Sequence, residues 1–217
     1  MLDFNLNKTK STLRILCIGA HCDDIEIGCG GTLLELQRRL PRLSIAWVIL
    51  SGSAERRTEA SHGMRRLIRS SCRGELRFGD FPDGRFPASY GRLKDYFVAL
   101  RRSVRADLVL AHECADRHQD HRITNEMVWT TFRDHTILEY EIPKWDGGLG
   151  QPNFYVPVSR ISVKRKIDTL LQVYATQGSK DWFSRETFAS LMRLRGLECR
   201  SPSGYAEAFH GRKLRLG

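Results

Sequence analysis

Two short segments of this chain bring together the residue types that hold and use a transition metal. The first is Gly19-Ala20-His21-Cys22-Asp23-Asp24-Ile25-Glu26-Ile27-Gly28, and the second is Asp116-Arg117-His118-Gln119-Asp120-His121. Zinc accepts imidazole nitrogen and carboxylate oxygen, and a catalytic zinc takes three protein ligands and leaves a position for water. His21 and Asp24 are three residues apart, which lets both side chains face one point in a turn or a first helical turn. His121 completes a His/Asp/His set. Asp23 then stands free beside the metal, its carboxylate suited to take a proton from an activated water.

Each segment alone also has a plainer meaning. His-x-x-Asp after a strand is commonly a hydrogen-bonded turn or helix cap, and His-x-Asp-His at a helix start is commonly a cap with surface histidines. Their joint occurrence, each after an expected strand, favours the metal. Gly28, Gly30 and Gly31 do not have G-x-G-x-x-G spacing, and Asp23, Asp24 and Glu26 beside them would repel a phosphate. Close packing of a helix on a sheet accounts for these glycines better. Ser51-Gly52-Ser53 is not a nucleophile elbow. The carboxylates around Cys22 disfavour a thiolate there. His62, His112, His135 and His210 show no comparable arrangement and read as ordinary polar residues.

The elements that must position these groups follow from apolar patterning. Leu13–Ala20, Leu43–Leu50, Glu75–Phe78, Asp107–Ala111 and Ile137–Ile142 read as strands, with Tyr205–Phe209 a short last one. Thr32–Leu40, Glu55–Arg69, Leu93–Val104, a segment from Asp120 to about Phe132, Ile161–Tyr174 and Trp182–Leu194 read as helices. His21–Glu26 is expected as a polar turn, and Gly79–Pro87 and Trp145–Asn153 as loops. Solidly apolar strands alternating with helices imply an α/β fold with a mostly parallel sheet flanked by helices in a single domain over residues 1–217. Such sheets carry their sites at the carboxyl ends of strands, where both metal-binding segments lie.

Composition narrows the setting. The chain has 217 residues, 41% hydrophobic and 28% charged, enough for one substantial core. No stretch approaches the ~18 apolar residues of a membrane span, and Met1–Ser11 is too polar for a secretory signal, so a cytoplasmic protein without a membrane span is expected. The six cysteines form no C-x-x-C pair, which argues against a structural zinc knuckle or disulfide framework. A net charge of +10 keeps anionic partners in view, from phosphorylated sugars to nucleic acid. A non-catalytic basic nucleic-acid-binding module is the alternative in a different class. No basic stripe interleaved with aromatics supports it, so no nucleic-acid partner is expected. A homo-oligomer is compatible with the sequence.

The segment AHCDDIEIGCGGTL resembles the A-H-P-D-D signature of the LmbE/PIG-L deacetylases, and DRHQDH resembles that family's H-x-D-H motif. SGSAERRTEA, FPDGRFP, EYEIPKWDG and GYAEAFH extend the resemblance over nearly the whole chain. The resemblance implies a Rossmann-like fold and zinc-dependent hydrolysis of an N-acetyl or other N-acyl group on a small amino-sugar conjugate such as an N-acetylglucosamine derivative. His21, Asp24 and His121 then look like the zinc ligands and Asp23 like the general base. His118 looks like the second catalytic histidine, which stabilises the oxyanion or protonates the amine. Asp120, between two histidines, looks like the residue that orients one of them. Arg56 falls where the family places a substrate-contacting arginine, with Arg57 next to it. Iron or cobalt suits the same ligands. The same metal chemistry on a non-sugar, glycopeptide or lipid-linked amide is the variant reading. Specificity would then lie in Ser51–Thr58, Gly79–Pro87 and Trp145–Asn153, whose Phe81, Phe86 and Trp145 are candidates to stack on sugar faces. The usual proline of the signature is Cys22 here.

Overall fold

The computed structural model describes residues 12–70 and 72–214. Met1–Ser11, assessed above for a signal, lie outside the described residues. Seven strands form one sheet in the order β3-β2-β1-β4-β5-β7-β6. β1 (Leu13–Gly19), β2 (Leu43–Ile49), β3 (Arg73–Phe78), β4 (Leu108–His112) and β5 (Thr136–Tyr140) are mutually parallel. β7 (Ala206–Gly211) pairs antiparallel with β5 and with β6 (Phe154–Pro157). The central strands are buried on both faces because helices cover both. Ile15 and Cys17 of β1 enter one core, and Leu16 and Ile18 enter the other. The first core lies beneath α1 (Asp24–Arg39), α2 (Ala54–Leu67), α5 (Arg160–Val173) and α6 (Arg185–Glu198). The second lies beneath α3 (Tyr90–Ser103) and α4 (Gln119–Thr131). Among the described residues no helix is long and apolar enough to cross a membrane.

The strand order decides where the site falls. From β1 the chain winds outward through β2 and β3, then returns to lay β4 against the other side of β1. The connections leaving β1 and β4 therefore diverge, and a crevice opens between their carboxyl ends. The segment after β1 carries His21–Asp24 and the segment after β4 carries Asp116–His121.

α1 departs from expectation, since it begins at Asp24 and runs through Gly28, Gly30 and Gly31. Glycine in a helix interior costs about 1 kcal/mol relative to alanine, and tertiary packing outweighs that here. A Cβ at Gly28 would stand 2.2 Å from the Tyr140 ring, and one at Gly31 would stand 2.8 Å from Glu207 Oε1. Beside these glycines a buried ion pair reaches the helix backbone. Lys166 Nζ donates to Ile27 O (2.5 Å), while Glu207 accepts from the Gly31 and Thr32 amides (2.7 and 2.6 Å). Lys166 Nζ and Glu207 Oε1 lie 2.7 Å apart. The start of α1, and with it Asp24, is thus tied to α5 and β7.

Two smaller differences have local causes. β6 was not expected because four residues flanked by Pro152 and containing Pro157 show no alternation. It survives as an edge strand, where proline is tolerated. α6 begins at Arg185 because the Ser184 side chain caps it by accepting from the Thr187 amide, leaving Trp182 and Phe183 outside the helix.

Removing one partner of a buried ion pair leaves an uncompensated charge, at about 3–5 kcal/mol. Glu207→Gln is therefore expected to lower the urea unfolding midpoint by an amount corresponding to that range, read by far-ultraviolet circular dichroism. A midpoint within error of the parent would show that the pair does not anchor α1.

Candidate active site

Gly19 ends β1, and Ala20 to Asp23 form a tight turn into α1. The turn is closed from both sides. Asp24 Oδ2 accepts from the His21 amide (2.6 Å), and the Tyr174 hydroxyl donates to Cys22 O (2.9 Å). Opposite, the loop after β4 leads into α4, whose cap is His118. Its Nδ1 accepts from the Asp120 amide (3.2 Å).

Three expected ligands converge. His21 Nδ1 lies 3.2 Å from His121 Nε2 and 3.4 Å from Asp24 Oδ2, and His121 Nε2 lies 3.5 Å from Asp24 Oδ1. Tetrahedral coordination with bonds of about 2.0–2.1 Å spaces its donors by about 3.3 Å. The outer partners fix which nitrogen faces inward. His121 Nδ1 is 2.8 Å from Asp116 Oδ2, so the proton sits there and the Nε2 lone pair points to the centre. His21 Nε2 is 3.0 Å from Asp83 Oδ1 and 3.4 Å from Asp120 Oδ2, which turns the Nδ1 lone pair inward. Two lone pairs and a carboxylate at these distances repel unless positive charge sits among them. The residues present therefore fit a divalent metal. Titration carries the same demand. Burial works against charge on His21, but hydrogen bonds to Asp120 and Asp24 outweigh it and raise the imidazole well above its ordinary value.

The adjacent aspartates are pushed in opposite directions. Burial raises Asp23, against the pull of Arg56. Burial also opposes ionisation of Asp24, but His121 and His112 overcome it and hold Asp24 well below the usual range. Asp24 is thus the more acidic of the two, and Asp23 the more basic. Arg56 donates from Nη2 to Asp23 Oδ1 (2.7 Å), and its Nε is buried without a partner among the described residues. Arg57 points elsewhere, donating to Gly52 O and Gly79 O (2.8 and 2.9 Å). Of the two arginines, Arg56 is the one turned into the site.

His118 stands edge-on to His21 at 4.9 Å between ring centres. Burial, and then His21, hold it below its ordinary value, so it is neutral near pH 7. With Nδ1 accepting from Asp120, its Nε2 carries the proton and offers a donor. Asp120 is fully buried, but its carboxylate does not orient the neighbouring histidines of its own motif. It faces His21 and accepts from the Gly84 and Phe86 amides (2.7 and 3.1 Å), which ties the 79–87 loop to the site. Phe81 and Phe86 are consequently buried loop anchors and not stacking surfaces, while Trp145 is 67% exposed.

Several residues of the site were not singled out by sequence. His112, read above as an ordinary polar residue, is fully buried, stacks on His121 with centroids 3.8 Å apart, and has Nε2 3.1 Å from Asp24 Oδ2. That nitrogen also lies 3.0 Å from the Ala20 amide nitrogen, and Asp24, His112 and His121 together form a buried group whose donor atoms could hold a metal. Asp116 orients His121, and Lys144 donates to Asp116 (2.8 and 2.9 Å). Asp83 reaches His21 from the 79–87 loop, where Gly84 takes φ +70°. Asp116 opens the DRHQDH segment, and Asp83 and Lys144 lie in the FPDGRFP and EYEIPKWDG segments, but the sequence alone assigns a role to none of the three.

Cys22 is fully buried with its thiol toward Ser51 O, and burial pushes it up to about 12, so it is no thiolate. Beneath the turn, Glu26 is fully buried, and burial raises its carboxyl well above the ordinary value. It shares the Tyr174 hydroxyl with Cys22 O.

The model of the GlcNAc-PI de-N-acetylase (PIG-L) family matches residues 16–132. The chain is 31% identical to the uncharacterized deacetylase YaiS of Escherichia coli (strain K12) over 153 residues, 63% of this chain and 76% of that protein. In fold it is similar to the N,N'-diacetylchitobiose deacetylase of Pyrococcus horikoshii, with TM-score 0.68, 20% identity and coverage of 94% of this chain and 85% of that one. It is also similar to GalB, the 4-carboxy-2-hydroxymuconate hydratase of Pseudomonas putida KT2440, with TM-score 0.72, 16% identity and coverage of 95% and 98%. At such identities the likeness shows the fold, which hosts more than one reaction.

Outer partners of metal-binding histidines typically account for 10–100-fold in affinity. Asp116→Asn is expected to weaken divalent-metal binding by about that factor, measured by competition with a chromophoric chelator. Unchanged affinity would separate Asp116 from the metal site.

Proposed function

This chain belongs to the PIG-L family, and on that premise we propose that it is a zinc-dependent hydrolase that removes an N-acetyl group from an amino-sugar-containing substrate. The family is one of hydrolytic N-deacetylases, and this chain is an enzyme of that class. The non-catalytic nucleic-acid module accordingly gives way. One observation carries the finer reading: adjacent aspartates of opposite basicity, with Asp24 facing two inward lone pairs and Asp23 left outside that set.

In this reading His21 Nδ1, Asp24 and His121 Nε2 hold the zinc. When bound, the metal supplies Lewis acidity toward both the water and the amide carbonyl. Asp23 takes the proton as the water attacks. Arg56 keeps the Asp23 carboxylate aimed, since its guanidinium holds one oxygen and leaves the other for the proton. His118 is placed to donate from Nε2 to the oxygen that gains charge. It does so as a neutral imidazole, which supports a hydrogen-bond role ahead of a charged one. Collapse of the tetrahedral centre breaks the carbon–nitrogen bond. The proton held by Asp23 passes to the leaving amine, giving acetate and the free amino group. The family description supports an amino sugar as the substrate.

Loss of a general base costs about 10²–10⁴-fold. Asp23→Asn is expected to lower kcat by at least about 10²-fold while zinc content by elemental analysis stays near that of the parent. Equal turnover in the variant would remove Asp23 from the reaction. Chelator treatment is expected to abolish amine release from N-acetylglucosamine conjugates and added zinc to restore it. Full activity in chelator would sink the metal-dependent reading.

A further inference from the structure

A second group of metal-binding side chains lies on the sheet apart from the catalytic set and shares no residue with it. One ligand atom from each of Glu113, Glu141 and His210 lies within 4.8 Å of the others. Strand register brings them together. His112 pairs with Tyr140 across β4 and β5, and the Glu113 amide donates to Tyr140 O (3.1 Å), so Glu113 and Glu141 leave the two strands side by side. β7 runs antiparallel to β5 and sets His210 opposite Glu139, two residues before Glu141.

The charges here do not balance. Glu113, Glu139 and Glu141 are all buried. Arg212 pairs with Glu139 (2.8 Å), and Arg195 binds both oxygens of Glu141 (2.9 and 2.5 Å). Each arginine is thus committed to another glutamate. The Glu113 side chain is 7% exposed, and no hydrogen bond reaches its carboxylate among the described residues. His210 Nε2 lies 3.2 Å from Glu113 Oε1, yet that nitrogen is buried and forms no hydrogen bond among the described residues either. A buried carboxylate and a buried imidazole nitrogen left in this way lose their hydration without replacement. A cation between them restores it. Glu141 can join them, because each carboxylate oxygen has two lone pairs and Arg195 uses one on each. Arg195 then holds Glu141 from behind, as outer partners hold metal ligands.

Gly150 closes the group. A Cβ there would stand 2.9 Å from Glu113 Oε1 and 3.1 Å from His210 Cε1, so glycine lets the 145–153 loop pass this close. Gly150 O also accepts from Arg195 Nη2 (2.9 Å). The loop therefore rests directly on the cluster.

We propose that Glu113, Glu141 and His210 hold a second divalent transition-metal ion, distinct from the catalytic one, which fastens the 145–153 loop and β7 across the ends of β4 and β5. Two carboxylates and one imidazole suit zinc, manganese or ferrous iron, with water completing the coordination. The inference does not depend on the deacetylase reading, since the two ligand sets have no member in common.

The test is calorimetric titration of zinc into tag-free, chelator-stripped protein. It compares the parent, Glu113→Gln and His210→Ala, each also in the Asp24→Ala background, with circular dichroism to establish folding. Two equivalents are expected in the parent, and one fewer in Glu113→Gln and in His210→Ala. Loss of a ligand should weaken the second site by more than the roughly 10–100-fold typical of an outer partner. Glu113→Gln keeps the volume of the site, so misfolding of His210→Ala would leave the comparison intact. In Asp24→Ala, added zinc should slow hydrogen exchange of the 145–153 amides, and should not do so once Glu113 or His210 is also replaced. Equal zinc stoichiometry with and without the Glu113 and His210 substitutions would overturn the site. So would a second equivalent bound only at about millimolar zinc, the mark of an adventitious ion. One equivalent that depends on His210 and not on Asp24 would uphold this site and overturn the zinc ligation proposed for the catalytic centre.

Discussion

Three potential metal-ligating groups, His21, Asp24 and His121, facing one another across 3.2–3.5 Å form the constraint on which the rest of this structure is organised. Such a set does not hold together by itself. Each donor must be held from behind by something that also spends its other polar atoms. Asp116 does this for His121, Asp83 and Asp120 do it for His21, and the His21 amide does it for Asp24. Those supports come from the loops after β1, β3 and β4, so the site exists only if the sheet brings three strand ends together. The reversal of strand order at β1 is what does so.

The same crowding explains how two carboxylates in sequence come to do different things. Both Asp23 and Asp24 are buried, and burial opposes ionisation of each. Asp24 faces imidazoles on several sides, whereas the cation nearest Asp23 is the guanidinium of Arg56. A difference in neighbours, not in solvent access, therefore separates the two carboxylates that the proposed mechanism uses as ligand and base. Because Ser53 caps α2 at the turn where Arg56 starts, the arginine that sets this balance is placed by the helix and not by a flexible stem alone.

Much of this was legible because short-range spacing carried it. His21, Asp24 and His121 were identifiable from two local patterns after apolar strands, and they do converge. The residues that escaped sequence reasoning act through contacts between distant segments. His112 has meaning only beside Asp24 and His121, and Lys144 only beside Asp116. Neither relation leaves a pattern along the chain. The start of α1 was misread for a related reason. Three glycines weaken a helix by propensity, and their purpose is visible only when the Tyr140 ring and the Glu207 carboxylate occupy the space they leave. The aromatics of the 79–87 loop were misassigned because exposure cannot be told from a loop's composition. Asp120 draws that loop inward and buries Phe81 and Phe86.

Cys22 shows how packing can replace a covalent restraint. Proline in that turn would fix φ and lower the entropy of the unfolded chain. Cys22 provides neither, and its peptide could in principle swing, carrying His21 and Asp23 with it. The surroundings prevent this. Its thiol is fully buried toward Ser51 O, and a Cβ on Gly52 would stand 2.3 Å from the sulfur, so the neighbouring loop closes tightly over it. Its carbonyl is held by Tyr174, which is itself buried and linked to Glu26. A phenol has one hydrogen. If that hydrogen goes to the Cys22 carbonyl, the contact with Glu26 requires the proton to come from the carboxyl group, in keeping with the rise that burial imposes on Glu26. The rigidity of the catalytic turn is thereby drawn from α1, α5 and the α2 entry loop together.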